Sequence, residues 1–314
     1  MMPDASRVRA VIDTDPGIDD ALALLYGFGS PELSIEAITV VAGNVPVETG
    51  ARNVFRVCKV AGIAPPRVAA GAAAPLARPL ETAAHVHGSG GLGGWREEAP
   101  GTVDERPAWR VITETARRYP GEVVLITLGP LTNAALAAER DPGGFAGLRE
   151  IVCMGGTVFA PGNVTAAAEY NFHADPEAAA RVAGSGVPLR LIGLDATRRA
   201  RLSAARLDRR LGKRGDVRAR FLRAAAGHLF GFMAEHTGWK GLYLHDPLAV
   251  AAALDPTLVE TRAMRIAVET RGELTAGMVV ADRREWVRGE GNARVAVRAD
   301  AARFLRMFLE RACL

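Results

Sequence analysis

Four aspartates lie within eight residues near the start of the chain, in segment 10–22, which reads AVIDTDPGIDDAL. They are Asp13, Asp15, Asp19 and Asp20. Carboxylates this close repel each other, by about 1 kcal/mol per pair at 4 Å even in water. A hard divalent cation, Ca²⁺ or Mg²⁺, relieves this repulsion most directly because both ions prefer carboxylate oxygens. The alternative, in which these residues only cap a helix and complete a turn, accounts for one carboxylate rather than four.

The same segment predicts how these carboxylates are positioned. If residues 8–12 form a strand, Asp13 and Asp15 leave its carboxyl end on the same side, since side chains alternate along a strand. A Pro-Gly pair then turns the chain. The next two aspartates open a helix, where acidic side chains suit the positive end of the helix dipole.

Short apolar runs alternate with helical patterns through most of the chain. This alternation predicts an α/β fold in which an open, mostly parallel, Rossmann-like sheet is flanked by helices, and we expect a single domain over residues 1–314. Ligands of such sheets bind beyond the carboxyl ends of the strands, so we place the active site there. Several residues follow the ends of predicted strands and should therefore share one rim: Asp13, Asp15, Asn44, Gly129, Gly155 and Asp195.

Two further segments carry candidate histidines. Residues 71–107 form a long loop rich in Gly and Pro that contains His87. Long loops in compact domains are usually functional or disordered, and the sequence leaves both interpretations open. Later in the chain, His245 precedes Asp246, which we expect to cap a helix that begins at Pro247.

Composition sets further limits. The chain has 314 residues, of which 49% are hydrophobic and 24% charged, as in ordinary globular proteins. An apolar run of about 18 residues is missing from the sequence, so we expect no membrane span. Residues 1–7 lack the apolar core of a signal peptide, so we expect a cytoplasmic protein. The three cysteines, Cys58, Cys153 and Cys313, are far apart, which argues against a zinc site and a disulfide framework.

Arginines concentrate between residues 198 and 220, within a formal net charge of +4. A nucleic-acid surface is one interpretation. Aromatic residues are sparse there and acidic residues interrupt the segment, so a solvated helical face fits better, and we expect no nucleic-acid partner. The sequence also lacks a P-loop, a GxGxxG after the first strand and a GxSxG elbow. What remains is carboxylates for a metal, amides for hydroxyl groups and histidine for proton transfer, which together indicate hydrolysis of a polyhydroxyl substrate such as a sugar glycoside.

These residues resemble a known family. Segment 13–20 (DTDPGIDD) is similar to the N-terminal signature of nucleoside hydrolases of the inosine–uridine type. The resemblance covers essentially the whole chain from about residue 8. One departure is Tyr170, at a position where phenylalanine is frequent in the family. Further segments recur in the family in the same order: AGN at 42–44, HG at 87–88, GPLTN at 129–133, MGG at 154–156, EYN at 169–171 and HDP at 245–247.

The resemblance implies a bound Ca²⁺. Its side-chain ligands would be Asp15, Asp20 and Asp246, with the backbone carbonyl of Leu128 as another ligand. Waters and the ribose 2′- and 3′-hydroxyls would complete about seven or eight oxygens, which suits Ca²⁺ better than octahedral Mg²⁺. Asp15 would also be the general base for the attacking water, which the metal holds and whose pKa it lowers.

The same resemblance implies the substrate contacts. Met154 would pack against the sugar, and His87 would approach the base from the long loop, unless it is an ordinary loop residue. A homodimer or homotetramer is implied as well. The residues that would bind the ribose hydroxyls are Asp19, Asn44, Asn163, Glu169 and Asn171.

Physical chemistry supports the same reaction. Cleavage of an N-ribosidic bond passes through an oxocarbenium-like state, which a carboxylate-rich site stabilises. The base leaves as an anion unless it is protonated, and His245, with an ordinary pKa near 6.5, is the candidate acid. A purely local hydrogen-bonding role for His245 is the alternative. We therefore expect a Ca²⁺-dependent nucleoside N-ribohydrolase that acts on purine and pyrimidine nucleosides, as in nucleoside salvage, and a histidine at this position favours the inosine–uridine group.

Two other functions are compatible with parts of the pattern. The pair Asp13-x-Asp15 is similar to that of metal-dependent phosphohydrolases, but these need Thr or Val where this chain has Gly17. Release of inorganic phosphate would be their signature. A non-catalytic nucleoside- or sugar-binding protein on the same scaffold would bind without turnover, and the complete set of expected catalytic residues argues against it.

Overall fold

The computed structural model describes residues 7–284 and 291–313. Residues 1–6, on which the expectation of no signal peptide mostly rests, lie outside the described residues. The strands are β1 (Val8–Thr14), β2 (Leu33–Val40), β3 (Val68–Ala70), β4 (Val123–Thr127), β5 (Glu150–Met154), β6 (Leu189–Ile192), β7 (Arg201–Ser203), β8 (Gly241–Tyr243), β9 (Val259–Met264), β10 (Ile266–Val268), β11 (Val279–Ala281) and β12 (Ala293–Ala299). The helices are α1 (Ile18–Phe28), α2 (Val47–Ala61), α3 (Ala84–His87), α4 (Ala108–Arg118), α5 (Thr132–Arg140), α6 (Pro142–Phe145), α7 (Tyr170–Ala174), α8 (Pro176–Ala183), α9 (Leu194–Thr197), α10 (Ala204–Leu211), α11 (Val217–Thr237), α12 (His245–Leu254) and α13 (Ala301–Arg311).

Eight strands of the described chain form one sheet, in the order β3-β2-β1-β4-β5-β6-β12-β9. Neighbouring strands run parallel except for the edge pair β12 and β9, which is antiparallel. This arrangement confirms the predicted α/β class. After β1 the chain moves outward to β2 and β3 and then places β4 on the other side of β1. The reversal opens a crevice between the carboxyl ends of β1 and β4, where ligands of open α/β sheets bind.

Helices cover both faces of the sheet, as the side chains of β1 show. Ala10 and Ile12 belong to one hydrophobic cluster, whereas Val11 between them belongs to another. All three are fully buried, which is why β1 is continuously apolar rather than alternating. On the face that Ala10 and Ile12 share, α1 packs against α12. This contact joins two helices that are more than 200 residues apart in the sequence.

The start of α12 differs from the sequence-based expectation that Asp246 caps it. The helix begins at His245, and its cap position is occupied by Leu244. The N–H groups of His245 and Asp246 donate to Asp19 Oδ2 at 2.9 and 3.1 Å. The expectation was wrong because the capping carboxylate comes from α1, through a tertiary contact that the local sequence does not reveal.

The arginine-rich segment has structural partners inside the protein. Arg210 Nε donates to Leu309 O, and Arg218 Nη2 donates to Ala61 O, both at 2.8 Å. The two carbonyls lie in the last turns of α13 and α2, where helices leave carbonyls without partners. These arginines therefore satisfy helix ends, while the absence of a nucleic-acid partner stays a prediction.

The described helices include none that is both long and apolar enough to cross a membrane. The single domain, the cytoplasmic location and the homo-oligomeric state stay predictions.

Candidate active site

Asp15 lies at the crevice between β1 and β4. It directly follows β1, is fully buried, and its Oδ2 accepts a hydrogen bond from Asn44 N at 2.6 Å. Two glycines at the ends of the neighbouring strands make room for the carboxylate. A Cβ on Gly43, after β2, would lie 2.1 Å from Asp15 Oδ2, and one on Gly129, after β4, would lie 2.5 Å from Oδ1. Within the described residues, Oδ1 has no hydrogen-bond partner.

Asp20 fastens the turn between β1 and α1. Its Oδ1 accepts hydrogen bonds from Thr14 Oγ1 at 2.6 Å and from Asp15 N at 3.2 Å. Its Oδ2 accepts from Gly17 N and from Asn44 Nδ2, both at 3.0 Å. The carboxylate thus caps its own helix and ties it to the end of β2.

Asp19 connects this turn to α12. Its Oδ2 accepts the N–H groups of His245 and Asp246, while its Oδ1 is buried without a hydrogen-bond partner in the part of the chain that is described. Asp246 is 5% exposed. The charges of Asp15, Asp19 and Asp20 all act on Asp246, so the structure brings these four aspartates into one cluster.

The electrostatics of the cluster are unfavourable. The pKa values of Asp15, Asp19 and Asp246 are raised well above the ordinary value, first because burial penalises the charged form. Neighbouring carboxylates raise them further, since Asp20 acts on Asp15 and on Asp19, and Asp19 and Asp20 both act on Asp246. The main opposing contacts are backbone N–H groups, such as Asn44 N at Asp15. A positive charge bound among these carboxylates would relieve their mutual repulsion, which the described backbone contacts offset only in part.

The cluster fits a hard divalent cation in its chemistry. The donors are carboxylate oxygens, and the unpaired Oδ1 atoms of Asp15 and Asp19 are the kind that a cation satisfies. The side chains do not yet have the spacing of a complete metal site. In residues 7–284 and 291–313, no group of three or more His, Cys, Asp or Glu side chains is placed to hold a metal ion. The predicted backbone ligand, Leu128 O, accepts a hydrogen bond from Asn171 Nδ2 at 2.6 Å. A cation would share or replace that contact.

Glu169 and Asn171, predicted to bind ribose, lie at the start of α7 beside the end of β5. Glu169 caps α7, because its Oε1 accepts from Asn171 N at 3.0 Å. Its Oε2 accepts from Gly156 N at 2.8 Å, and burial raises its pKa. Asn171 Nδ2 also donates to Met154 O at 3.1 Å. The structure therefore brings Met154, Glu169 and Asn171 together.

Asn163 is joined less directly to this group. Its side chain is exposed, and its Oδ1 accepts a hydrogen bond from Tyr170 N at 2.9 Å. Tyr170, the departure from the family pattern, uses its hydroxyl, since Oη donates to Glu81 O at 2.9 Å. That contact links α7 to the long loop.

His87 lies in α3, a single helical turn inside the long loop, and is buried. Its Nδ1 accepts a hydrogen bond from Ile18 N at 3.1 Å, at the start of α1. An accepting nitrogen carries no proton, so the neutral ring has its hydrogen on Nε2. Burial, reinforced by His228 and His85, lowers the pKa of His87 to about 4, so the ring is neutral near pH 7. The long loop is therefore anchored beside the carboxylate cluster at this point.

His245 is partly buried at the first position of α12. Its Nδ1 lies 2.7 Å from Thr197 Oγ1. Burial, followed by the charge of Arg198, lowers the pKa of His245 to about 4. The ring is therefore neutral near pH 7 in the free protein, and negative charge arriving beside it would raise the pKa again.

Asp13, the remaining aspartate of the N-terminal segment, is hydrogen-bonded through one oxygen only, since its Oδ2 is buried without a hydrogen-bond partner among the described residues. Its Oδ1 accepts hydrogen bonds from Thr39 Oγ1 at 2.5 Å and from Asn133 Nδ2 at 2.8 Å. Burial raises its pKa to about 7. Burial raises the pKa of Asp13, whereas neighbouring carboxylates also raise the pKa values of Asp15, Asp19 and Asp246.

The site combines a carboxylate cluster that has unpaired oxygens, the side chains of Glu169 and Asn171, and two histidines. These groups have the chemistry that metal-assisted hydrolysis of a sugar derivative requires. Residues 10–306 match the family model of the inosine-uridine preferring nucleoside hydrolases. The chain belongs to this family. Its homologues are enzymes that act on N-glycosyl bonds, and ribonucleoside hydrolysis is the reaction of the family.

Two curated relatives of this nucleoside hydrolase align over nearly their full length. The chain is 35% identical to the inosine-uridine preferring nucleoside hydrolase of Crithidia fasciculata, over 96% of both chains. It is 37% identical to the pyrimidine-specific ribonucleoside hydrolase RihA of Salmonella gallinarum, over 96% of this chain and 97% of the relative. Among solved structures, the purine-preferring ribonucleoside hydrolase from Gardnerella vaginalis superimposes with a TM-score of 0.90 at 32% identity, over 97% of this chain and 98% of the other.

Two residues that support the site of this nucleoside hydrolase were missed by the sequence reasoning. Thr14 binds Asp20, and Thr197 binds His245. Thr197 follows the carboxyl end of β6, as does Asp195, so the rule that placed Asp195 on the rim could have found it. Asp195 itself accepts three backbone N–H groups of residues 158–160 at 2.7–2.8 Å, and so holds the segment that leads to Asn163.

Proposed function

We propose that this nucleoside hydrolase is a Ca²⁺-dependent N-ribohydrolase that cleaves the N-glycosidic bond of ribonucleosides and releases ribose and the free base. The observation that carries the proposal is the cluster of buried carboxylates at the crevice, with raised pKa values and unpaired oxygens. Such a cluster suits a divalent cation, and it suits the positive charge that develops on the sugar as the bond breaks.

The cation would be held by Asp15, Asp20 and Asp246, with Leu128 O as a backbone ligand. When bound, Ca²⁺ supplies the positive charge that lowers the pKa of the attacking water and fixes the ribose hydroxyls. The preference for Ca²⁺ over Mg²⁺ rests on the number of oxygens, because several carboxylates and two substrate hydroxyls exceed what an octahedral Mg²⁺ site accommodates.

Asp15 would accept the proton of the attacking water. Its Oδ2 is oriented by Asn44 N, while its Oδ1 is unpaired among the described residues. One oxygen thus fixes the carboxylate and the other is available to the water. A carboxylate whose pKa is raised by burial is a stronger base than one in solvent. The water oxygen bonds to C1′ as the C1′–N bond breaks, and the electron pair of that bond leaves with the base.

The ribose would be bound by side chains whose own orientation is already fixed. Glu169 is held by backbone N–H groups, Asn171 by two carbonyls and Asn44 by Asp20. Groups that are held before the substrate arrives need little reorganisation in the transition state. Asp19 and Asn163 complete the proposed hydroxyl contacts, and Met154 would pack against the sugar.

His245 would protonate the leaving base. In the free enzyme its ring is neutral near pH 7, and the negative charge that develops on the departing base favours the protonated ring. His87 would offer its Nε2 hydrogen to the base, since its Nδ1 is occupied by Ile18 N. Two N–H groups near the base suit both purines and pyrimidines, so we propose that inosine and uridine are both substrates.

Base preference is not fixed by family membership. The relatives described above are named as inosine-uridine preferring, pyrimidine-specific and purine-preferring. A cytoplasmic homodimer or homotetramer that acts in nucleoside salvage, with the nucleoside as its partner, completes the proposal.

The proposal is tested by ribose release from inosine, uridine, adenosine, guanosine and cytidine in phosphate-free buffer. The calcium-loaded protein should release ribose and base in equal amounts, and removal of calcium should lower the rate at least tenfold, with recovery when Ca²⁺ is returned. No release from any nucleoside by the calcium-loaded protein would contradict the proposed reaction. Full activity in protein that contains no calcium would contradict the proposed cofactor alone.

A further inference from the structure

Thr197 is a buried residue whose hydroxyl contacts a proposed catalytic side chain. The residue is fully buried, and its Oγ1 lies 2.7 Å from His245 Nδ1. This is the only hydrogen bond of the hydroxyl within residues 7–284 and 291–313. Buried hydroxyl groups place their protons on an acceptor. For the neutral ring, the acceptor within reach is Nδ1.

The position of Thr197 is set by the sheet and not by His245. Thr197 ends α9, the short turn that follows β6, and Leu194 N at the start of that turn donates to Gly156 O at 3.0 Å. Asp195 in the same turn binds three backbone N–H groups of residues 158–160. The position of the Thr197 hydroxyl is therefore fixed by backbone hydrogen bonds of the α9 turn that do not involve His245.

The backbone of His245 is anchored separately, by the hydrogen bond from its N–H to Asp19 Oδ2 at 2.9 Å. With the backbone held by Asp19 and Nδ1 held by Thr197, the direction of Nε2 is determined. Within the described chain, Nε2 makes no hydrogen bond and is not among the buried unpaired atoms. It is therefore accessible from solvent and free to contact a ligand.

We propose that Thr197 is the positioning residue of His245: its hydroxyl holds Nδ1 and thereby directs Nε2, with its hydrogen, at the leaving base. The inference rests on the proposed function, in which His245 is the acid. A hydroxyl can serve both forms of the ring, because it donates to Nδ1 of the neutral imidazole and accepts from Nδ1–H of the cation. The cation forms when the neutral ring takes up a proton from water at Nδ1. When it gives its Nε2 proton to a ring nitrogen of the departing base, the ring becomes neutral with Nδ1–H bound to Thr197 Oγ1, and exchange with water restores the Nε2–H form.

Three variants separate this role from a structural one. Thr197→Val removes the hydroxyl and keeps the side-chain shape, whereas Thr197→Ser keeps the hydroxyl and removes a methyl group. Thr115→Val is the matched control, because Thr115 is also buried and its hydroxyl donates to a carbonyl of its own helix α4, Val111 O, at 2.7 Å. Each variant is assayed on inosine and on p-nitrophenyl riboside, whose leaving group needs no proton.

We expect Thr197→Val to lower kcat on inosine by about 100-fold, the lower range for loss of general acid catalysis, and kcat on p-nitrophenyl riboside by less than about threefold. Thr197→Ser should stay within about tenfold of the wild type on inosine, and Thr115→Val should change neither rate. Equal losses of Thr197→Val on both substrates would overturn the inference, as would a Thr197→Ser variant as slow as Thr197→Val.

A second measurement does not depend on activity. In protein labelled with ¹⁵N-histidine, the neutral ring of His245 should show a protonated Nε2 and an unprotonated Nδ1 in the wild type, and a mixture of both tautomers in Thr197→Val. The His245→Gln spectrum assigns the signal. An unchanged tautomer in Thr197→Val contradicts the role of Thr197, whether or not the wild type hydrolyses a nucleoside. A wild type that hydrolyses no nucleoside contradicts the proposed function and leaves the tautomer measurement as the test of Thr197.

Discussion

The carboxylates of this enzyme differ in how far the protein satisfies them. Asp20 accepts hydrogen bonds from four donors, and Asp13 accepts from two. Asp13, Asp15 and Asp19 each keep one oxygen unpaired in the described structure. The hydrogen bonds of Asp20 hold the turn between β1 and α1, and those of Asp13 join β1 to β2 and α5. The unpaired Oδ1 atoms of Asp15 and Asp19 are free to contact a cation or the substrate.

His245 supplies the first prediction at this scale. His245→Gln removes the proton that the leaving base needs, so kcat on inosine should fall by about 100-fold or more. The rate on p-nitrophenyl riboside should change little, because nitrophenolate leaves without protonation. Steady-state rates on both substrates check this. Equal losses on the two substrates would remove His245 as the acid and leave it a local structural role.

At the scale of elements, the ends of β2 and β4 are shaped around a side chain from β1. Gly43 and Gly129 flank the Asp15 carboxylate so closely that a Cβ on either would overlap it. The AGN and GPLTN segments that resemble the family are thus explained by steric need as well as by their polar residues.

Gly43→Ala should therefore displace Asp15 without a direct change in any reactive group. We expect kcat on inosine to fall at least about tenfold, because a small displacement of a catalytic group is costly. Gly215→Ala is the control, since a Cβ there has no atom of the described residues within 4 Å. A folded Gly43→Ala protein with the turnover of the wild type would contradict the steric overlap between a Cβ at position 43 and the Asp15 carboxylate.

For the whole molecule, the buried carboxylates link stability to pH. The pKa of Asp13 is raised to about 7 and those of Asp15, Asp19 and Asp246 well above the ordinary value, so the metal-free folded protein keeps protons that the unfolded chain has released. Stability from these groups is lost as pH rises through the folded pKa values. His87 acts in the opposite sense, but its pKa of about 4 in the folded protein limits its effect to pH below about 6.5.

The melting temperature of chelator-treated protein should therefore fall between pH 6.5 and pH 8. With saturating Ca²⁺ the fall should be smaller, because the cation replaces the protons as the compensating charge. Differential scanning calorimetry at the two pH values, with chelator and with calcium, checks both statements. Asp246→Asn in chelator should show a smaller fall than the wild type. A melting temperature that stays constant or rises in chelator would contradict the electrostatic account of the cluster.

The sequence predicted those parts of the molecule that depend on local pattern. The alternation of apolar and helical segments indicated the parallel sheet, and the spacing of Asp13 to Asp20 indicated the cluster after β1. It failed where a contact joins distant segments. Asp246 was expected to cap α12, whereas the cap comes from Asp19, more than 200 residues earlier. Thr197 was missed because its partner, His245, approaches it only in the folded chain.

The most direct test of the account compares the wild type with Asp15→Asn on inosine. Both proteins are measured with calcium present, and retention of the fold is checked by circular dichroism and melting temperature. Asp175→Asn is the matched control, because Asp175 is a fully buried carboxylate that caps α8. We expect Asp15→Asn to lose at least about a thousandfold in kcat, since one group serves as general base and metal ligand, and Asp175→Asn to keep its turnover. A folded, calcium-loaded Asp15→Asn protein with near wild-type turnover would contradict this expectation.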